Sequence, residues 1–303
     1  MNRLQSFTLL LLLSSFSSCI EFEQEKLTYI HDEEKDELRV TLTYEGIFGN
    51  LDKGQNSQNG PDDITTKDNL NQKQIEQLES VLAQKRAFFF NNWIFEYNQN
   101  SLKQILEKEE NELATEGKVF GKPEKELIKS LLAEIEIENI GFYLDAKGRL
   151  CGAQTLRLSN ASKVITMANK VLGRQLKARL PEMKDFSPET ITLIRKKLKD
   201  EFPFIRIQGN LLHLSMIMNR PDQVKFSENS LTQLPDGIRI DFSDEILSLK
   251  CGGIDDEKGT LSRECFNGYQ TNALNYVRKQ HSDLLLTKKE LDHHFRTFLS
   301  GVK

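Results

Sequence analysis

The four cysteines and five histidines of this 303-residue chain are its best candidates for nucleophilic, redox or metal chemistry. No two cysteines form a C-x-x-C pair, so the sequence indicates neither a dithiol redox site nor a zinc ribbon. His293 and His294 are adjacent on a predicted helix, where neighbouring side chains point about 100° apart, whereas metal ligands on one helix usually lie at i and i+4. We therefore expect both to be solvated or partly packed, and we expect no metal or cofactor site.

His213 lies in the predicted strand LLHLSMIM, where it alternates with Leu212 and Leu214 and shares a face with Ser215. We expect a sheet histidine whose hydrogen bonds are satisfied rather than a general base. Two acidic runs, 134–138 and 255–257, lack the spacing of a calcium-binding EF-hand, so we expect solvated carboxylates at both.

Motifs of common enzymes are absent from the sequence. It contains no GxxxxGK[ST] phosphate-binding loop, no GxSxG nucleophile elbow and no HExxH zinc motif. No catalytic residue can be assigned, and we favour a protein that is not an enzyme. A hydrolase whose Asp, Glu or His residues meet only in the folded chain is the main alternative.

The first 18 residues have the three parts of a secretory signal peptide. Arg3 gives a cationic start, the stretch from Phe7 to Phe16 is mainly apolar, and Ser17 and Ser18 give a small-residue end. The apolar stretch is shorter than the roughly 20 residues that a membrane-spanning helix needs. We expect residues 1–18 to be removed, leaving a mature body of residues 19–303.

The segment Phe16-Ser17-Ser18-Cys19 resembles the lipobox of bacterial lipoproteins. The resemblance implies that Cys19 becomes the N-terminus, carries two or three acyl chains such as palmitate, and anchors the protein in the cell envelope, since more than one chain gives stable attachment. Phe16 stands where the family prefers Leu, so an ordinary cut after Ser18, giving a secreted and unanchored protein, is the alternative. In some bacteria, Asp directly after the lipidated cysteine retains a lipoprotein at the inner membrane. Here Ile20 follows Cys19, so in such bacteria the protein would be sent to the outer membrane.

Charge argues against one class of partner. The formal net charge is −4 at pH 7 and becomes one unit more negative when Arg3 leaves with the signal peptide. A nucleic-acid binder needs a basic face that neutralises phosphates, so we expect no nucleic-acid partner. The densest basic run, 195–199, lies on a predicted helix and is typical of a solvated helix face.

Hydrophobic periodicity predicts an α+β fold, with an antiparallel sheet built from several hairpins and packed with amphipathic helices. The predicted strands are 26–31, 37–44, 88–97, 134–144, 149–158, 204–208, 211–218, 237–242 and 245–251. The predicted helices are 71–87, one from Ser101, one from Pro123, 160–179, one after Ser187, 268–281 and 288–299. Residues 49–70 read as a flexible loop or linker, and a division into two domains is conceivable near 115–122.

Three cysteines remain if Cys19 carries lipid. Cys251 and Cys265 bracket the polar, glycine-bearing stretch GGIDDEKGTLSRE, and a disulfide between them would staple this stretch as a candidate contact loop. Two alternatives stay open: both thiols are small buried hydrophobic groups, or Cys151 pairs with one of them.

The leading hypothesis from the sequence is an envelope-anchored, non-catalytic binding or assembly protein, attached to the membrane through lipid on Cys19. Its ligand would be an unidentified protein or polymer. An anchored hydrolase acting on envelope polymers and a secreted, unanchored binding protein are the alternatives. Two carboxylates about 5 to 10 Å apart in a concave pocket would favour the hydrolase.

Overall fold

The computed structural model has the α+β fold that the sequence predicts, with two larger, mainly antiparallel sheets and amphipathic helices. It describes residues 20–50, 72, 75–76, 79, 87–89, 95–97, 99–108, 120–183, 187–224, 237–243, 245–252, 259–264, 270–272 and 274–301. The signal peptide, Cys19, most of the predicted 49–70 linker and residues 115–119 lie outside this part of the chain.

The first sheet has the strand order β11-β1-β2-β6-β5-β13, and β12 pairs with the end of β2. Its strands are β1 Ile20–Asp32, β2 Glu37–Asn50, β5 Ile135–Leu144, β6 Leu150–Leu158, β11 Gly259–Glu264, β12 Gln270–Asn272 and β13 Leu285–Leu286. The two predicted hairpins, β1–β2 and β5–β6, are confirmed, and among the strands described in this sheet only β13 pairs in parallel.

The second sheet has the order β7-β8-β10-β9 and is antiparallel throughout. Its strands are β7 Ile205–Gln208, β8 Leu211–Ile217, β9 Ile238–Phe242 and β10 Ile246–Cys251. All four were predicted from their alternation of apolar and polar residues.

Residues 220–224 are helical, as are residues 72, 75–76 and 79 of the predicted helix 71–87. Six further helices, each with both ends described, pack on these sheets. They are α1 Gln99–Glu107, α2 Lys122–Glu134, α3 Ala161–Arg179, α4 Pro188–Lys197, α5 Leu274–Gln280 and α6 Lys288–Ser300. The predicted caps of α4 and α6 are confirmed: Ser187 accepts the backbone N–H of Thr190, and Thr287 forms a capping box with Glu290.

The main core joins the two sheets face to face. Leu27, Leu42 and Ile137 of the first sheet pack in one cluster with Leu212 and Cys251 of the second. Tyr29 connects the two sheets by hydrogen bonds, because its hydroxyl donates to the Cys251 carbonyl at 2.6 Å and accepts the Leu212 N–H at 3.2 Å. The opposite face of the first sheet is covered by α6, and one end of the second sheet's outer face is covered by α3 and α4.

Five sequence predictions need correction. The helix predicted over 268–281 begins only at Leu274, and residues 270–272 form strand β12 instead. The aromatic stretch 88–97 forms two short paired strands, β3 Ala87–Phe89 and β4 Phe95–Tyr97, not one strand. Helix α1 begins at Gln99, two residues before the predicted Ser101 cap, and Gly49 and Asn50 belong to β2 instead of the linker. The last part of the proposed contact loop is β11, which pairs with the edge of β1.

Candidate functional site

The outer face of the second sheet carries a row of basic side chains. Cross-strand register places Arg206 opposite His213, His213 opposite Lys250, and Lys250 opposite Arg239, so one residue from each of the four strands lies in a single line. Side chains alternate between the faces of a strand, and the intervening Leu212, Leu214 and Leu249 point to the hydrophobic core. We call these four residues the basic row.

The basic row is long and only partly neutralised. Neighbouring strands lie about 4.8 Å apart, so the row extends about 14 Å from β7 to β9. Lys250 forms an ion pair with Asp241 at 2.6 Å. Arg206 and Arg239, at the two ends, are exposed and make no ion pair with the described part of the chain. Like charges directly opposite each other destabilise a sheet, so the Lys250–Arg239 pairing opposes folding.

His213, in the middle of the row, is buried, and its Nε2 atom has no hydrogen-bond partner. The expectation of a satisfied sheet histidine was therefore wrong. Its pKa is lowered from the ordinary value, first by burial and then by the Arg206 and Lys250 charges, with Asp241 acting in the opposite direction. A buried polar atom without a partner costs about 1 to 3 kcal/mol and calls for an explanation.

The neighbouring residues on this face do not form an activated nucleophile. The Ser215 and Ser248 hydroxyls are hydrogen-bonded to each other at 3.1 Å, and neither is bonded to His213. Among the described residues, Lys250 pairs with the Asp241 carboxylate at 2.6 Å and not with either serine hydroxyl. What the face offers is a set of cationic and hydroxyl groups that can bind a ligand.

The state of His213 leads to a pH prediction. Because its folded-state pKa is below the ordinary value of about 6.5, the unfolded chain binds the proton more readily. The free energy of unfolding should therefore fall as the pH drops below about 6.5, by at most about 1.4 kcal/mol per pH unit for this one group. Urea denaturation at pH 7.5 and 5.5 should show a smaller loss in His213→Gln than in the wild type. His293→Gln, on the exposed face of α6, is the control, and its stability should depend on pH as that of the wild type does. If His213→Gln lost as much stability between pH 7.5 and 5.5 as the wild type, the lowered pKa of His213 would be contradicted.

The described cysteines are inert groups in this structure. Cys151 and Cys251 are both buried and are not bonded to each other, and burial raises the pKa of both thiols, that of Cys251 to about 12. Cys251 belongs to the main core, as the alternative of a small buried hydrophobic group supposed. Cys265 lies outside the described residues, so a bridge between Cys251 and Cys265 stays a prediction.

The other residues considered from the sequence fall in separate places. His293 and His294 are exposed on α6, and Glu136 and Glu138 are exposed on β5, where Glu136 pairs with Arg157. Cys19 and the acidic run 255–257 lie outside the described residues. Within the described part of the chain, no group of three or more His, Cys, Asp or Glu residues could hold a metal ion.

Two shallow concavities lie away from the basic row. One is on α4 beside Glu189 and Lys196, and the other is on α6 beside Asp292 and Arg296. Each contains one carboxylate, so neither has the pair of acids that a glycosidase needs.

Sequence reasoning missed the basic row because each strand contributes only one of its members. The signal was present as a single basic residue at a polar position in IRIQ, GIRIDF and ILSLKC, but only the strand order brings them together. None of the described helices is long and apolar enough to cross a membrane. Comparison with known proteins gives no match for this chain among family models, curated proteins or solved structures.

Proposed function

We propose that this chain is a bacterial envelope lipoprotein, held by lipid on Cys19, whose body is a non-catalytic binding or assembly module. The observation that carries the proposal is the open basic row on the second sheet, which offers exposed binding groups without an activated nucleophile. The membrane is the outer one by the Ile20 argument, and the ligand is a protein or polymer of the envelope.

The position of β1 is compatible with a lipid anchor at Cys19. Strand β1 begins at Ile20, the residue directly after Cys19, so no linker separates the proposed anchor from the folded body. The body would therefore stand directly on the membrane surface instead of being tethered at a distance.

The described acids favour binding over hydrolysis. Asp32 and Glu37 lie near each other, but both are bound to the same buried guanidinium group of Arg39, at 2.6 and 2.7 Å. Carboxylates held in this way support the fold and are not free to act as a general acid and a nucleophile.

Replacing the proposed lipidation site should release the protein. We expect Cys19→Ser to abolish incorporation of labelled palmitate and to move the protein from the membrane fraction to the soluble fraction, because the acyl chains supply the membrane affinity. Cys265→Ser, which removes a cysteine from the body, should stay acylated and membrane-bound. Intact mass spectrometry of wild type showing a free N-terminal cysteine without acyl mass would contradict the anchor.

Binding through the second sheet can be tested in cells by site-specific photo-crosslinking. A photoreactive phenylalanine analogue in place of Gln208, which is exposed on β7 beside the basic row, should form a discrete adduct in the envelope, whereas the same analogue in place of Asp292, exposed on α6, should not. Equal adducts at both positions, or none at either, would count against the second sheet as the binding face.

A further inference from the structure

We propose that the basic row binds a linear polymer with repeated phosphate or carboxylate groups, whose chain crosses the strands from β7 to β9. This inference deepens the proposed function and rests on it, since it names the class of ligand for the same face. Arg206 and Arg239 hold the polymer at the two ends of the row, and His213 and Lys250 lie beneath its middle.

Two observations indicate an anionic ligand. The first is the pair of exposed guanidinium groups of Arg206 and Arg239, which make no ion pair with the residues that the structure describes and which match carboxylate and phosphate oxygens in geometry and charge. The second is the buried Nε2 atom of His213, which has no partner although its neighbours Arg206 and Lys250 are cationic. An anion above the row offsets the repulsion between its like charges. It also accounts for a buried imidazole that has no partner within the protein.

The shape of the row favours a chain over a single ion. The Cβ atoms of Arg206 and Arg239 are three strand spacings apart, about 14 Å, which is several times the width of one phosphate or carboxylate group. A single ion contacts one end of the row, whereas a chain with repeated charges contacts both ends at once. The second contact is then intramolecular and strengthens binding without any new site.

The position of the row argues against the headgroups of the anchoring membrane. Tyr29 and His31 of β1 contact Leu212 and Asn210, which lie beside the row. At about 3.3 Å per residue, Tyr29 is about 30 Å along the strand from Ile20, where the proposed anchor begins. The row is therefore displaced along the body from the lipids around Cys19, and a polymer that extends away from the membrane can reach it.

Protonation of His213 couples the site to pH. The charged groups facing it are Arg206 on β7, Lys250 on β10 and Asp241 on β9. A bound anion favours the imidazolium form, so binding takes up a proton, and affinity should rise as the pH falls from 8 to 6.

The test uses the full, acylated chain in neutral nanodiscs, with fluorescent dextran sulfate as the probe because its charge is constant between pH 5 and 8. We expect Arg206→Gln/Arg239→Gln to weaken binding at least tenfold. Arg195→Gln/Lys196→Gln on α4 removes the same charge from exposed positions and should change affinity less than threefold. His213→Gln should bind with little dependence on pH, and circular dichroism confirms that each variant is folded.

Three outcomes would overturn the polymer site. The first is an equal loss of affinity in the two charge-matched double variants. The second is competition by inorganic sulfate that is as strong as competition by the polymer at the same sulfate concentration. The third is binding of the Cys19→Ser protein to phosphatidylglycerol vesicles through the row, without binding to dextran sulfate. None of these results bears on acylation of Cys19 or on the crosslinks at position 208, so failure of the ligand class is distinguishable from failure of the proposed function.

Discussion

Replacing Gly259 by alanine should destabilise the protein by about 3 kcal/mol, although the change adds only one methyl group. Gly259 lies on β11 directly opposite Tyr29 of β1, and the aromatic ring of Tyr29 occupies the space where a Cβ atom would be. The ring cannot move aside cheaply, because it is buried and its hydroxyl group is hydrogen-bonded to Cys251 and Leu212. The new methyl group must displace either β11 from the sheet edge or Tyr29 from the contact between the sheets.

The midpoint of urea denaturation measures this effect, and Gly209→Ala is the matched control. Gly209 has a φ of +55°, but a Cβ atom there would meet nothing within 4 Å. That substitution should cost only about 1 kcal/mol of backbone strain. Equal losses for the two variants would mean that the packing of Tyr29 on Gly259 does not limit stability.

Removing the guanidinium group of Arg39 should have an effect of similar size. Arg39 is 3% exposed, forms ion pairs with Asp32 and Glu37, and donates a hydrogen bond of 2.6 Å to the Leu299 carbonyl at the end of α6. Arg39→Met takes the buried cation away from two carboxylates, leaves them only the more exposed Lys35 and Arg157, and removes the donor at the end of α6, so we expect a loss of about 3 kcal/mol.

Arg157→Met provides the comparison on the same face of the sheet. Arg157 is partly exposed and pairs with the largely exposed Glu136 and, at 3.8 Å, with Glu37, so its removal should cost no more than about 1 kcal/mol. Thermal and urea denaturation of both variants give the two values. If Arg39→Met were as stable as Arg157→Met, the buried guanidinium group of Arg39 would not be what limits stability.

Local patterns predicted the elements well where they were strong. Helix α3 follows from its apolar period, and the β5–β6 hairpin follows from the DAKG turn between two alternating runs. Strand β11 was missed because GTLSRE has one large apolar residue and gains its place by pairing with β1, which is far away in the sequence. The pairing depends on tertiary context, and short windows of sequence do not contain it.

The candidate site was harder to predict for the same reason. A basic residue at a polar position of one strand predicts only a solvated side chain. Three strands with one such residue each therefore predict three unrelated solvated side chains. The row exists because β8 lies between β7 and β10, and because β10 in turn pairs with β9. For His213, the strand and the face of the sheet were predicted, but the lack of a hydrogen-bond partner for its Nε2 atom was not.

The start of β1 at Ile20 also has a mechanical consequence. With lipid on Cys19, a pulling force on the membrane anchor enters β1 along its axis, and β1 is hydrogen-bonded on both sides, to β2 and to β11. The load then falls on many backbone hydrogen bonds in shear, so they must break together instead of one after another. Arg39 on β2 passes the same load to the end of α6. The strand that follows the proposed anchor would thus resist unfolding under a pulling force. If the protein binds an extended polymer, this resistance would keep the body folded while the membrane moves.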